Sequence, residues 1–429
     1  MYFQKEIETM KRSELEELQL RKLKWTVQYC YDNVPMYRKK FDAAGVTADK
    51  IKSLKDIQYL PYTYKSDFKE NYPFGMFAVP RKEIVRVHGS SGTTGKPTIV
   101  GYTRADMDMW SDLIARIVTM AGVGPDDVAQ IAFGYGLFTG GFGLHQGLEK
   151  VGAMVIPLSS GNTERQLMIM QDMGTTALIA TPSYAIYLSE MIRERGIKTN
   201  LRVGLFGGEG CTAAMREQIE KNMGIIVTDN WGMSELIGPG VSGECIYRDG
   251  LHLAEDHFLP EIINPETEEV LAPGETGEIV VTSLDKQAIP VIRYRTRDIT
   301  RLNYEPCKCG RTHVRMDKIK GRSDDMIVFK GVNVFPSQIE AAIMGVDQVA
   351  PHYMIHLTTE GVVDNMEVQL ELNNSDLLES YGELKKLEQQ VTDRLHSTLG
   401  LRAKVRLVEP NSLPRFEGKA KRIIDDRKL

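Results

Sequence analysis

A chain of 429 residues, 42% hydrophobic and 26% charged, has the make-up of a globular protein too long for one ordinary core, so two domains are expected. The net charge of -5 carries no block of one sign, which excludes the electrostatic footprint of a nucleic-acid or anionic-membrane binder. No apolar run approaches the roughly 20 residues of a spanning helix. The opening "MYFQKEIETMKRSELEELQLRKL" also lacks the apolar centre of a secretion signal, and a cytoplasmic address is the expectation.

In chain order, the first few dozen residues read as helical, with Asn33-Val34-Pro35 breaking one helix before another begins. A strand follows in "TIVGYT", then an amphipathic helix over about 106–120. Short apolar strands "VAQIAFGYG", "GAMVIPL", "TALIATP" and "LRVGLFGGEG" then alternate with helical stretches such as "ERQLMIMQDMG". That rhythm indicates layered α/β architecture with ligand sites at strand ends. From Asn264, "NPETEEVLAPGETGEIVVTSL" reads as hairpins of an antiparallel, barrel-like region. Near Gly321 a small α+β unit begins, with strands "DMIVFKG" and "VNVFP", a helix from Pro336, the strand "MEVQLEL", a long helix and the strand "AKVRLVEP". The long helix carries Leu384, Leu387, Val391, Leu395 and Leu399 at spacings of 3 and 4, and Gly400 stops it. The expected domains are therefore 1–322 and 323–429.

The segment "VHGSSGTTGKPTIVG" concentrates glycines, hydroxyls and a lysine immediately before a strand. Glycines let backbone N–H groups approach an anion, hydroxyls add donors, and lysine adds charge, so a polyphosphate is the expected ligand. The geometry of a nucleotide P-loop fails here, because Ser90 stands where its first glycine belongs and Pro97 where its Ser/Thr belongs. "FGYGLF" mimics part of a dinucleotide fingerprint, but Thr139 replaces the third glycine and that reading is discarded.

These residues carry a resemblance. "SSGTTGKPT" is similar to the phosphate-binding signature of the acyl-adenylate-forming superfamily of acyl-CoA synthetases, adenylation domains and luciferases, and the later motifs follow in order. "DNWGMSE" resembles its aromatic-Gly-x-Ser/Thr-Glu motif, "YRTRD" its ribose motif, "GRSDDMI" its hinge and "PRFEGKAKR" its catalytic-lysine loop. "NVPMYRKKF", "FGYGLFTGG" and "KGVNVFPSQIE" resemble the phenylacetate–CoA ligase branch. The resemblance implies an α/β fold with a large N-terminal domain, a small mobile C-terminal α+β domain and AMP-forming acid–thiol ligation. It implies that Ser90, Ser91, Gly92, Thr93, Thr94, Gly95 and Lys96 wrap the phosphates of ATP. Gly208, Glu209, Asp229, Asn230, Trp231, Gly232, Ser234 and Arg322 would line the nucleotide slot, with Asp298 on the ribose and Glu235 holding Mg²⁺. Lys419 would be catalytic, stabilising the pentavalent phosphorus. Asp324 would be the hinge, and Lys330, Gly331 and Val332 would guide coenzyme A. Tyr135, Phe138, Phe142 and Tyr184 would wall an aromatic acid pocket, although each is equally at home in a core. A homodimer is implied by the same resemblance. Loading of a carrier-protein thiol, a non-catalytic nucleotide-binding module and a P-loop hydrolase are the rivals.

One constellation lies outside that chemistry. Five cysteines (Cys30, Cys211, Cys245, Cys307, Cys309) are an odd set that argues against a disulfide framework. Cys307-Lys308-Cys309-Gly310 resembles a zinc knuckle, with Cys245 and His252 upstream at C-x₆-H spacing. Two thiolates one residue apart close no easy disulfide, whereas a structural Zn²⁺ takes both with two more ligands. Cys245, His252, Cys307 and Cys309 are the expected set; His257 and His313 compete for it, and Cys245 also suits a packed thiol.

Overall fold

A computed structural model describes residues 1–90, 97–323, 327–329, 332–344, 346–360, 363–375, 377, 380–416 and 420–427. The chain divides into two compact units, Met1–Ala180 with Lys198–Gly208 and Ile225–Ile319, and Thr181–Ile197 with Glu209–Gly224 and Lys320–Leu429.

The first unit opens with α1 (Lys5–Glu8), α2 (Arg12–Asn33) and α3 (Pro35–Ala44). Val34 is extended, as a residue before proline prefers, and Pro35 pre-sets the first φ of α3. After α4 (Lys65–Glu70), the strands β1 (Arg86–Gly89) and β2 (Ile99–Tyr102) pair antiparallel on either side of the hydroxyl-rich segment. Next comes α5 (Arg104–Met120), started by a capping box in which Thr103 and Asp106 satisfy each other's backbone N–H groups. Its apolar stripe of Trp110, Leu113, Ile114, Ile117 and Val118 is buried.

The alternating strands and helices follow: β3 (Val128–Ile131), α6 (Thr139–Val151), β4 (Met154–Ile156), α7 (Thr163–Asp172), β5 (Ala177–Ala180), β6 (Val203–Gly207) and β7 (Ile226–Met233). The antiparallel elements are β8 (Gly238–Glu244), β9 (Leu251–Leu253), β10 (Phe258–Ile263), β11 (Thr276–Ser283), β12 (Tyr294–Asn303) and β13 (Arg315–Met316). Their order is β10-β11-β12-β13-β9-β8-β7-β6-β5-β3-β4, so the region read as barrel-like is hydrogen-bonded onto the parallel sheet. The change of direction falls on β7, parallel to β6 and antiparallel to β8.

Gly143, at the end of "FGYGLFTGGFG", and Gly147 beyond it serve helix packing. A Cβ on Gly143 would stand 2.2 Å from the Trp110 ring, and one on Gly147 would stand 2.2 Å from Ile114. Helices α5 and α6 therefore touch backbone to side chain along this seam, which only glycine permits.

The second unit contains α8 (Pro182–Glu194), α9 (Ala213–Met223), the paired strands Ile327–Phe329 and Val332–Val334, α10 (Pro336–Ile343) and α11 (Tyr381–Leu399). Its sheet pairs Val349–Glu360 antiparallel with Val363–Leu372, and adds Lys404–Val408 and Ile423–Asp425 as parallel strands at the two edges. Leu387, Val391, Leu395 and Leu399 of α11 share its apolar core with Ile339, Ile355 and Val368, and α11 ends at Gly400 with φ 69°. Strands Val349–Glu360 and Ile423–Asp425 were not expected from sequence; the first carries Pro351, two histidines and a shifted register between Val349 and Tyr353. Among the described residues no helix is long and apolar enough to cross a membrane.

Gly147→Val is expected to destabilise the protein by about 2 kcal/mol or more, because the α5–α6 seam has no room for the branch. A guanidinium unfolding midpoint equal to that of the wild type would contradict the interlock.

Candidate active site

In the first unit, the ribose-type motif is shaped by a bulge between β11 and β12. Glu278 pairs with Ile299 and Val280 with Arg295, so Thr296, Arg297 and Asp298 all oppose the single residue Ile279. Arg297 takes a left-handed φ of 68°, and Thr296 Oγ1 donates to the Ile279 carbonyl at 2.6 Å. The bulge is fixed by Glu278, which is wholly buried: its carboxylate accepts from Arg295 Nε at 2.9 Å, Arg295 Nη2 at 2.7 Å and the Arg297 backbone N–H at 3.1 Å. Asp298 emerges from it and accepts a hydrogen bond from Trp231 Nε1 at 2.8 Å.

Trp231 lies in "DNWGMSE" on β7, half-buried. The Asp229 backbone N–H donates to buried Glu244 at 2.9 Å, and Asn230 Nδ2 donates to the Phe206 carbonyl at 2.7 Å, tying β7 to the end of β6. A Cβ at Gly232 would stand 1.9 Å from the Gly238 carbonyl, so glycine is required there. Gly208 is exposed with φ 83°, directly after β6. Ser234 and Thr139 share a hydroxyl contact of 3.2 Å, which joins this motif to the start of α6. The structure thus brings together Asp229, Asn230, Trp231, Gly232, Ser234 and Asp298 of the expected nucleotide slot.

Glu235 is buried, and no donor among the described residues hydrogen-bonds its carboxylate. Its main-chain carbonyl accepts from Lys286 Nζ at 3.2 Å. Lys286 is fully buried, sits 5.5 Å from the Tyr102 ring centroid and has no carboxylate within ion-pairing distance among the described residues. Burial pulls its ammonium down to about 8, against the favourable fields of Asp106 and Glu235. Sequence reasoning passed over Lys286, Glu278 and Glu244, since nothing local marks a charged side chain as buried.

Ser90 follows β1, its N–H on the Thr98 carbonyl at 3.0 Å and its buried Oγ without a partner among the described residues. Ser91, Gly92, Thr93, Thr94, Gly95 and Lys96 lie outside the described residues, as do Asp324, Lys330, Gly331, Lys419 and the side chain of Val332. The Leu137 carbonyl accepts from both the Gly89 N–H, at 2.8 Å, and His88 Nδ1, at 3.0 Å, fixing the "FGYGLF" segment to β1. Burial lowers His88 and holds it neutral, edge-on to the Tyr102 and Trp110 rings. Among the expected acid-pocket residues, Tyr135 and Phe142 meet edge to face at 5.1 Å, with Arg86 5.3 Å over the Phe142 ring. Phe138 is exposed at the start of α6, whereas Tyr184 belongs to the second unit and is fully buried.

Within the second unit, Glu209 directs both oxygens at backbone N–H groups. Oε1 accepts from Ser183 at 2.8 Å and Oε2 from Ala420 at 2.9 Å. Arg322 is half-buried there.

The four residues of the expected metal set converge in the first unit. The donor atoms of Cys245, His252, Cys307 and Cys309 lie within 4.8 Å of one another. Cys245 Sγ and Cys307 Sγ are 3.8 Å apart, and Cys309 Sγ is 3.3 Å from His252 Nε2. A tetrahedron with zinc–sulfur bonds of about 2.3 Å has edges of about 3.8 Å, so the spacing suits that ion. Hydrogen bonds from Cys245 and His252 hold the Cys309 thiol well below its usual range, and His252 likewise lowers Cys307. The competing histidines are engaged elsewhere: His257 pairs with Asp285 at 2.9 Å, and His313 Nδ1 donates to the Leu253 carbonyl at 3.1 Å.

Comparison with known proteins gives a consistent likeness. The family model for AMP-binding enzymes matches residues 16–284, and that for the AMP-binding enzyme C-terminal domain matches residues 331–427. A phenylacetate-coenzyme A ligase of Escherichia coli (strain K12) is 47% identical over 99% of this chain and 97% of its own. One from Thermus thermophilus is 44% identical over the whole of both chains. Among solved structures, a 2-hydroxyisobutyryl-CoA ligase in the postadenylation state superposes with a TM-score of 0.93 at 31% identity, covering 99% of this chain and 92% of that one.

Lys286→Met is expected to leave the guanidinium denaturation midpoint at or above the wild-type value, because the buried ammonium costs more than its single acceptor returns. A loss of more than about 2 kcal/mol would instead make this cation a support of the Glu235 turn.

Proposed function

The chain belongs to the AMP-binding enzyme family, alongside the phenylacetate-coenzyme A ligases, and we propose that it joins an aryl acid, phenylacetate foremost, to coenzyme A at the expense of ATP. The observation that carries this reading is 44–47% identity to four curated phenylacetate-coenzyme A ligases over nearly the full chain. The preference for a ring is supported by the edge-to-face pair of Tyr135 and Phe142.

The chemistry runs in two steps. An oxygen of the acid attacks the α-phosphorus of ATP, pyrophosphate leaves and an acyl-adenylate forms. The coenzyme A thiol then attacks the acyl carbon, and AMP leaves. Ser90, Ser91, Gly92, Thr93, Thr94, Gly95 and Lys96 bind the phosphates in this reading, Trp231 stacks on adenine beside Gly208 and Asn230, Arg322 contacts the nucleotide, and Asp298 accepts from the ribose hydroxyls. Glu235, with no protein donor on its carboxylate among the described residues, would hold Mg²⁺ together with the polyphosphate, and that ion supplies neutralising charge. Lys419 stabilises the pentavalent phosphorus in the first step. Domain 323–429 turns at Asp324 between the steps, bringing Lys330, Gly331 and Val332 to the thiol path. The homodimer and the cytoplasmic address belong to the same reading.

An acid panel assayed for AMP release with and without coenzyme A tests the assignment. Phenylacetate should give the highest kcat/KM, and coenzyme A alone should suffice as acceptor. ADP as product, or a requirement for a carrier protein, would overturn it. Lys419→Ala should cripple adenylation by at least about a hundredfold while sparing thioester formation from supplied acyl-adenylate.

Cys245, His252, Cys307 and Cys309 hold a structural Zn²⁺ in this proposal; the ion would clamp two distant loops without taking part in acyl transfer. Elemental analysis should find about one zinc per chain, and chelation should lower the thermal midpoint by several degrees. A metal-free protein that melts unchanged would refute the site.

A further inference from the structure

We propose that Glu209 is a positioning residue for the first half-reaction: it holds the backbone at Ala420 so that the adjoining Lys419 serves adenylation, and it lets go for the second. The inference rests on the reading of Lys419 given above.

The carboxylate is used in a way a nucleotide ligand would not be. Both oxygens are occupied by main-chain donors from separate stretches of chain, Ser183 at 2.8 Å and Ala420 at 2.9 Å. Ser183 lies in the first turn of α8, a helix of 13 residues whose N-terminal N–H groups favour an anion. An ordinary cap would need one oxygen only. The second oxygen reaches more than two hundred residues along the chain to the position after the proposed catalytic lysine.

Neighbouring contacts tie the same stretch at one more point. Arg422 Nη2 donates to Ser183 Oγ at 3.2 Å, and Arg422 Nη1 lies 3.1 Å from Glu340. The guanidinium sits 4.6 Å from the Tyr353 ring centroid, and the Tyr353 hydroxyl donates to Glu340 at 2.8 Å. By contrast, none of the described residues from Arg406 to Arg427 is buried. Apart from Leu407 and Ile423, which pack at the edge of the apolar core, the terminal stretch is held by directed polar contacts. Such contacts can be exchanged for water at small net cost, which suits a segment needed in one half-reaction and not in the other.

The experiment separates the half-reactions in the full-length protein. Glu209→Gln keeps the shape of the side chain but can accept only one of the two N–H groups. It should slow phenylacetate-dependent ATP–pyrophosphate exchange by about tenfold or more, with the loss in rate rather than in KM for ATP. Conversion of supplied phenylacetyl-adenylate and coenzyme A to thioester should stay within about twofold. Ala420→Pro removes the other partner of the same bond and should show the same asymmetry, and it serves if Glu209→Gln does not fold. An equal fall in both half-reactions, or weakened binding of phenylacetyl-adenylate, would overturn the proposal and return Glu209 to the nucleotide slot. Lys419→Ala, run in parallel, tells the two failures apart. If it shows the asymmetry while Glu209→Gln does not, the positioning role alone falls; if it shows none, the catalytic reading of Lys419 falls with it.

Discussion

A fully buried carboxylate organises the bulge that carries the residue proposed for ribose. Glu278 has no exposed surface, and its negative charge is met by the two-pronged guanidinium of Arg295 and by the N–H of Arg297. Leaving either partner alone in the interior costs several kcal/mol, so the pair is kept or lost together. What it secures is a stretch of backbone that a regular ladder would not allow, three residues against one, with Arg297 in a left-handed conformation. Asp298 is the product of that distortion. Its carboxylate meets the Trp231 indole from a strand far away in sequence, and the two side chains proposed for ribose and adenine are thereby set against each other.

Much of this was legible in the residues, and the physical reasons for the rest differ case by case. The break at Val34-Pro35, the apolar stripe of α11 and the glycine after it are local events, written in neighbouring side chains. The 12-residue strand Val349–Glu360 escaped because it reads as an irregular polar stretch, with Pro351 and two histidines masking its alternation. Glu278, Glu244 and Lys286 escaped for a different reason. A charged residue announces its burial only through partners that the fold supplies. The purpose of Gly143 and Gly147 in α6 appears only through the approach of Trp110 and Ile114, which no local pattern records.

The Cys and His set shows how a short spacing becomes a site. Strand β9 pairs with β8 on one side and with β13 on the other, His252 lying opposite both Gly243 and Arg315. Cys245 stands just beyond β8, and Cys307 and Cys309 lie on the link between β12 and β13. Two antiparallel pairs, β8–β9 and β12–β13, joined by the pairing of β9 with β13, therefore deliver all four donors to one end of the sheet. The sequence offered the two half-motifs; the ladder register joins them.

The seam between α5 and α6 also bears on how the proposed acid wall could change. With Gly143 against Trp110 and Gly147 against Ile114, the helix that carries Phe142 has no latitude to slide or tilt. If the proposed wall is the acid pocket, its diversification is confined to swapping the rings at Tyr135, Phe138 and Phe142 on a scaffold that stays put. Change at such a wall would come in small, separable increments, ring by ring, with the glycines left untouched.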